Sequence, residues 1–198
     1  MKAPFVEVVT EAEIRDRVVQ LGAEISADYA GHPPVLVGVL KGSVPFMADL
    51  VRHLPHRTEI DFLSLTRFGR RGRVAIDMDT SIPLTDRDVL LVEDIVDTGL
   101  TLTTLRRMLE AKGARDVRTV ALLDKSPRRI VDVPVEYRGF EVGDEFLLGY
   151  GLDWEGRFRN VRSLWAVMDV GLMAHNPGAF ADIVFPERVD AASRHTAR

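Results

Sequence analysis

Residues 89–102 run Val-Leu-Leu-Val-Glu-Asp-Ile-Val-Asp-Thr-Gly-Leu-Thr-Leu, an apolar stretch followed by three carboxylates and two hydroxyls. Glu93, Asp94 and Asp97 fall where a buried strand should end, and Thr98, Gly99 and Thr101 where a helix should begin. Carboxylates can hold a sugar diol or a magnesium ion, while free N–H groups at a helix start, with hydroxyls beside them, can hold a phosphate. One short segment therefore has the chemistry to grip a phosphorylated sugar from both sides. Asp, Thr and Gly are also favoured at an ordinary strand-to-helix turn. Such a turn does not need two adjacent like charges against an apolar run, where burying them costs free energy unless a cation or hydroxyls compensate.

The elements that must position this segment alternate along the chain. Thr10 and Glu13 have capping-box spacing, and Ile14, Val18, Leu21 and Ile25 form one stripe of a helix reaching about Tyr29. Gly31-His32-Pro33-Pro34 breaks it, and Val35–Leu40 follows as a strand covered on both faces. After Lys41-Gly42-Ser43, residues 44–51 suit a helix with Pro45 in its first turn, and residues 59–65 a strand. Residues 67–73 are basic, glycine-rich and aperiodic, as in a mobile loop, and residues 74–76 form a short strand. The central unit is strand 89–92, an acidic turn, and helix 100–112 with Leu102, Leu105, Met108 and Leu109 inward and Gly113 as its stop. Residues 117–123 are the next strand. Shorter pieces follow at 133–137 and 146–148, then a strand or helix within 164–173, then a polar, proline-containing tail with a frayed end.

This alternation predicts an α/β domain on a mostly parallel sheet. Lys41, Glu93, Asp94 and Lys125 all fall at or just after the ends of three separate apolar runs. Binding residues in open α/β sheets gather outside the carboxyl ends of the strands, so these four point to one composite site.

With 198 residues, 46% of them hydrophobic, the chain can build one domain with a substantial core. A net charge of -4 does not favour a nucleic-acid partner. The absence of cysteine excludes disulfides, thiolate catalysis and cysteine metal sites, and the five histidines form no metal-binding pattern. No apolar run is long enough to span a membrane, and the first residues lack the apolar core of a secretion signal, so a cytoplasmic protein is expected.

The segment Val92-Glu93-Asp94-Ile95-Val96-Asp97-Thr98-Gly99 resembles the phosphoribosyl-pyrophosphate motif of the type I phosphoribosyltransferases. Three further pieces narrow the resemblance to the hypoxanthine/guanine type: Val39-Leu40-Lys41-Gly42-Ser43, Leu122-Leu123-Asp124-Lys125, and Asp144-Glu145-Phe146-Leu147-Leu148-Gly149-Tyr150-Gly151-Leu152-Asp153. All four occur in the family's order, and the resemblance covers about residues 11–162. It implies a type I phosphoribosyltransferase fold, a mostly parallel twisted sheet flanked by helices, with a small hood subdomain formed by terminal segments. Residues 1–163 would be the transferase domain and 164–198 a C-terminal extension.

The resemblance also implies roles. Glu93 and Asp94 would bind the ribose hydroxyls, partly through Mg2+, with Asp153 on the pyrophosphate-side metal. Asp97 would sit near purine N7 as the proton partner. Asp97, Thr98, Gly99, Leu100, Thr101 and Leu102 would cradle the phosphoribosyl group. Lys41, Gly42 and Arg159 would face pyrophosphate, with Leu40–Lys41 a candidate cis peptide. Lys125, Phe146, Leu147 and Asp153 would hold the base. Arg67, Phe68 and Gly69 would belong to the lid loop, where the family usually offers a Ser/Thr-Tyr pair and this chain has Arg67-Phe68. The implied reaction joins phosphoribosyl pyrophosphate to hypoxanthine or guanine in a homodimer or homotetramer. The alternatives are a xanthine or unusual-base enzyme, or a regulator that binds these ligands without turnover.

Overall fold

The structure, a computed structural model, describes residues 3–55, 57–68 and 73–186. In chain order the elements are β1 (Phe5–Val9), α1 (Glu11–Asp28), β2 (Val35–Leu40), α2 (Val44–Leu50), β3 (Glu59–Phe68), β4 (Arg73–Met78), β5 (Asp88–Val96) and α3 (Leu100–Ala111). Then come β6 (Asp116–Asp124), β7 (Tyr137–Glu141), β8 (Phe146–Leu148), β9 (Leu164–Val167), α4 (Val170–His175) and α5 (Gly178–Val184). They fall into two compact units, one of residues 12–144 and the other joining the N-terminal segment to the chain from Glu145 onward.

The larger unit is a six-stranded sheet in the order β4-β3-β2-β5-β6-β7. All neighbours run parallel except the β3–β4 hairpin. Parallel strands lie buried on both faces, which explains the continuous apolar runs. Val35, Val37, Val89 and Leu91 pack in one cluster with Leu102, Leu105 and Leu109 of α3. Leu36 and Leu90 alternate to the other face and are equally inaccessible. On α1, Ile14, Val18, Leu21 and Ile25 are buried, the stripe expected from their spacing. Gly113 takes φ +87° just beyond α3, a conformation that glycine adopts without steric cost.

The smaller unit is an antiparallel sheet in the order β1-β9-β8. Met173 of α4 and Phe180 of α5 are fully buried in its core with Phe5, Leu148, Val161 and Val167. Phe180 stacks obliquely on Phe5 and meets Phe158 and Trp165 edge-on. The segment expected as a polar tail therefore contains a helix whose aromatic residue sits at the centre of this core. Residues 187–198, where the frayed end was expected, lie outside the described residues.

Three other expectations change. β5 does not end at Val92 but continues through Val96, pairing Glu93 with Ala121 and Ile95 with Leu123, so the acidic pair lies within the strand. β3 runs on through Arg67 and Phe68, which pair with Val74 and Arg73, so these positions are strand and not loop. Gly69 lies outside the described residues. The strand expected at 133–137 begins only at Tyr137, while Val133 and Val135 are buried without joining the sheet. Among the described residues, no helix is long and apolar enough to cross a membrane.

Leu91 in the middle of the sheet has no accessible surface. Leu91→Ala should lower the unfolding free energy by about 2–5 kcal/mol, measurable as a reduced urea midpoint with an unchanged slope.

Candidate active site

The strand order reverses direction between β2 and β5, so their carboxyl ends open a crevice of the kind that binds ligands in doubly wound sheets. β2 delivers Lys41 and Gly42 to this end, β5 delivers Glu93, Asp94 and Asp97, and β6 delivers Lys125. The Leu40–Lys41 peptide is cis, as the resemblance implied. Gly42 lies directly against Asp94. A β-carbon at position 42 would fall 1.5 Å from Asp94 Oδ2, so no side chain fits unless the carboxylate moves. The other oxygen, Asp94 Oδ1, accepts the Ile95 N–H at 2.9 Å.

Glu93 is buried and the charged form is strongly disfavoured. Desolvation pushes its carboxyl well above the usual 4.5, and repulsion from Asp94 adds to the shift. Two adjacent carboxylates on a buried strand suit a cation that takes one or two protein oxygens and draws the rest from substrate and water, the preference of magnesium. Among the described residues no three potential ligands cluster, so an all-protein cage is not built here.

Residues 93–99, Thr101 and Leu102 line a cavity of about 400 Å³. Its floor is the start of α3, whose first N–H groups have no partner within the helix and carry the positive end of its dipole. Gly99 takes φ +84° to make the turn, and a β-carbon there would meet the Val131 carbonyl at 2.8 Å. Val131 is held close because its N–H and that of Ile130 both donate to the Thr98 carbonyl, at 3.2 and 3.0 Å. Loop 125–131 is thus held against the Thr98–Gly99 turn.

That loop brings in residues that sequence reasoning passed over. Lys125 is buried and anchored by its N–H to the Val96 carbonyl at 2.9 Å. Arg128 Nε lies 2.8 Å from Asp97 Oδ1 as an ion pair, without the alignment of a hydrogen bond, and its guanidinium also pairs with Asp144. Ser126 Oγ is shielded from water and, among the described residues, takes no hydrogen bond. Such an atom suits a ligand that supplies the missing partner. Arg129 pairs with the buried Asp124 and donates to the Asp97 carbonyl at 3.3 Å. The basic pair after Lys125-Ser126-Pro127 was the available signal, but sequence does not show which carboxylates it meets.

The remaining candidates belong to the smaller unit. Phe146 is partly exposed at the start of β8 and meets Trp154 edge-on with ring centroids 5.3 Å apart. Leu147 is buried and pairs with Ala166 of β9. Asp153 and Arg159 are brought together: Arg159 Nη2 is 2.6 Å from Asp153 Oδ1, and Arg159 Nη1 donates to the Gly151 carbonyl at 2.5 Å. Asp153 Oδ2 accepts the Gly156 N–H at 2.6 Å. The backbone of Arg67 and Phe68 forms the carboxyl end of β3, which runs parallel to β2.

Comparison with known proteins bears on this arrangement. A family profile described as "Phosphoribosyl transferase domain" matches residues 7–155. The chain is 42% identical over 160 residues to the hypoxanthine-guanine phosphoribosyltransferase of Bacillus subtilis, spanning 78% of this chain and 88% of the relative. It is 43% identical over 156 residues to that of Streptococcus mutans, spanning 77% and 87%. Among solved structures, a hypoxanthine-guanine phosphoribosyltransferase from Bacillus anthracis superposes with a TM-score of 0.79 at 36% identity, covering 82% of this chain and 98% of that one. A hypoxanthine phosphoribosyltransferase from Staphylococcus aureus gives 0.77 at 36%, covering 82% and 92%.

Two substitutions test the site. Gly42→Ala must displace the Asp94 carboxylate, and a shift of about 1 Å is enough to lower kcat/KM on the order of 100-fold; steady-state rates check this. Glu93→Gln should stabilise the ligand-free protein in magnesium-free buffer. The raised carboxyl means that the folded chain binds this proton more tightly than the unfolded chain, so the group costs stability as pH rises past 4.5. The Tm of Glu93→Gln should exceed that of the parent, with a gap that widens as pH rises above 4.5.

Proposed function

The chain belongs to the hypoxanthine/guanine type of the phosphoribosyltransferase family and is a phosphoribosyltransferase, and on that premise we propose that it makes purine nucleotides from hypoxanthine and guanine. The 5-phosphoribosyl group of phosphoribosyl pyrophosphate passes to the base, and pyrophosphate leaves. The observation that carries this reading is the cavity over residues 93–102, where a buried acidic pair faces a helix start at the point where the strand order reverses.

Each group has a task in that reaction. The first N–H groups of α3 and the hydroxyls of Thr98 and Thr101 receive the 5′-phosphate. Glu93 and Asp94 hold the ribose hydroxyls, and Lys41 and Gly42 face pyrophosphate. As the bond from C1′ to the pyrophosphate oxygen breaks, the ribose gains oxocarbenium character and the leaving group gains charge. Cationic groups placed where that charge develops contribute most to the rate. Glu93 and Asp94 would hold magnesium, which would supply further neutralisation of the charge that develops on the leaving group. The purine nitrogen bonds to C1′ while Asp97 takes the proton from N7. Its place beside the developing charge matters more than its intrinsic basicity. Lys125 donates to O6 of the base. Phe146, Leu147, Asp153 and Arg159 take the base and pyrophosphate roles that the family resemblance gives them. The same resemblance supports a homo-oligomer.

Initial rates with phosphoribosyl pyrophosphate, magnesium and hypoxanthine, guanine, xanthine or adenine in turn test the proposal. Nucleotide should form from hypoxanthine and guanine, fail without magnesium, and slow by about 100-fold or more in Asp97→Asn. Turnover with xanthine alone, or binding of phosphoribosyl pyrophosphate without turnover on any base, would overturn it.

A further inference from the structure

The family profile ends at residue 155, so Phe158, Arg159, α4 and α5 lie beyond it. The loop they border is unusual in its backbone. Glu155 and Gly156 take φ +50° and +81°, as a tight two-residue turn requires, and the turn is closed by reciprocal hydrogen bonds between Trp154 and Arg157 at 3.1 and 2.9 Å. Phe158 then takes φ +72°. A bulky residue in the left-handed region is sterically disfavoured and persists only where its surroundings hold it. Arg159 follows at once, and its guanidinium lies on Asp153 and the Gly151 carbonyl. The direction of Arg159 therefore depends on the conformation of Phe158.

What holds Phe158 comes from α5. The Phe180 ring, fully buried, meets the Phe158 ring edge-on at 5.1 Å, and is itself locked by Phe5 at 5.1 Å and Trp165 at 5.7 Å. The same helix forms one wall of a cleft whose other wall is the loop, with residues 156–160 facing Ala181, Asp182 and Phe185. We propose that α5 is a buttress for the loop and that Phe180 is a positioning residue, holding Phe158 in its left-handed conformation so that Arg159 stays aimed at Asp153. The functional half of the proposal rests on the transferase reading, in which Arg159 meets pyrophosphate. Without the Phe180 ring, Phe158 relaxes to an ordinary backbone conformation and Arg159 turns away.

The test compares the parent chain with Phe180→Ala, Phe180→Leu and Met173→Ala by steady-state kinetics, thermal melting and amide hydrogen exchange. Met173 is a fully buried residue of the same core but lies on α4, so its truncation reports simple loss of packing. Phe180→Ala should raise the KM for phosphoribosyl pyrophosphate on the order of tenfold, leave the KM for the base unchanged, and speed exchange across residues 154–160. Phe180→Leu should recover part of both effects, and it carries the comparison if the alanine variant does not fold. Met173→Ala should lower the Tm while leaving the loop's exchange and both KM values at parent levels. A Phe180→Ala chain that melts lower with neither the loop nor the KM ratio altered would overturn the proposal. So would a Met173→Ala chain that reproduces the whole pattern. Absence of turnover in the parent chain would defeat the transferase reading and the functional half of this one, while the exchange comparison still decides whether α5 braces the loop.

Discussion

Two neighbouring carboxylates on a middle strand of a buried sheet repel each other, Glu93 loses most of its hydration, and among the described residues no side chain offsets the rise in its pKa. The sheet tolerates this because β5 is gripped on both sides, by β2 up to Val92 and by β6 as far as Val96. Where β2 stops pairing, the chain passes Gly42 over the Asp94 carboxylate with no room for a side chain. The acidic pair is thus held in place by the backbone of one neighbouring strand and by the absence of a side chain on the other. That rigidity keeps the site ready for hydroxyls or a cation that the protein does not supply, at a cost in stability that the rest of the core offsets.

The second layer is a set of arginines that keep other carboxylates in order. Arg129 neutralises Asp124 at the buried end of β6, Arg128 lies between Asp97 and Asp144, and Arg159 covers Asp153. Asp97, Asp124, Asp144 and Asp153 are each paired with an arginine from a nearby loop. Within the larger unit, loop 125–131 consequently packs on the Thr98–Gly99 turn and balances the charge of Asp97, Asp124 and Asp144, while within the smaller unit loop 153–159 balances that of Asp153.

Much of this was legible in the sequence because the parallel sheet announces itself through continuous apolar runs, and α1 and α3 through their stripes. Lys41 and Lys125 could be placed just beyond strand ends for the same reason. The failures have a common cause in tertiary contact. Glu93–Val96 continues the strand although two acids interrupt its apolar pattern, because hydrogen bonding to β6 outweighs local preference. β1 is five residues long and finds its partner β9 only at the far end of the chain. α4 and α5 are too short for periodicity to be visible, and burial of Met173 and Phe180 is what makes them helices. The ion pairs of Arg128 and Arg129 depend on loop geometry that no spacing rule encodes.

The smaller unit draws Phe5 from one end of the sequence and Phe180 from the other into a single aromatic cluster, while the six-stranded sheet is built from one uninterrupted stretch. A chain emerging from the ribosome can therefore complete the sheet while its first strand still has no partner, since β9 and α5 are made after β7. Assembly of the cluster follows that of the sheet, and Phe158, beside Arg159, gains its Phe180 contact only then. A truncated product lacking β9 and the two helices after it would retain the six-stranded sheet but leave β1 without its partner strand, a form that quality-control proteases and chaperones are suited to recognise.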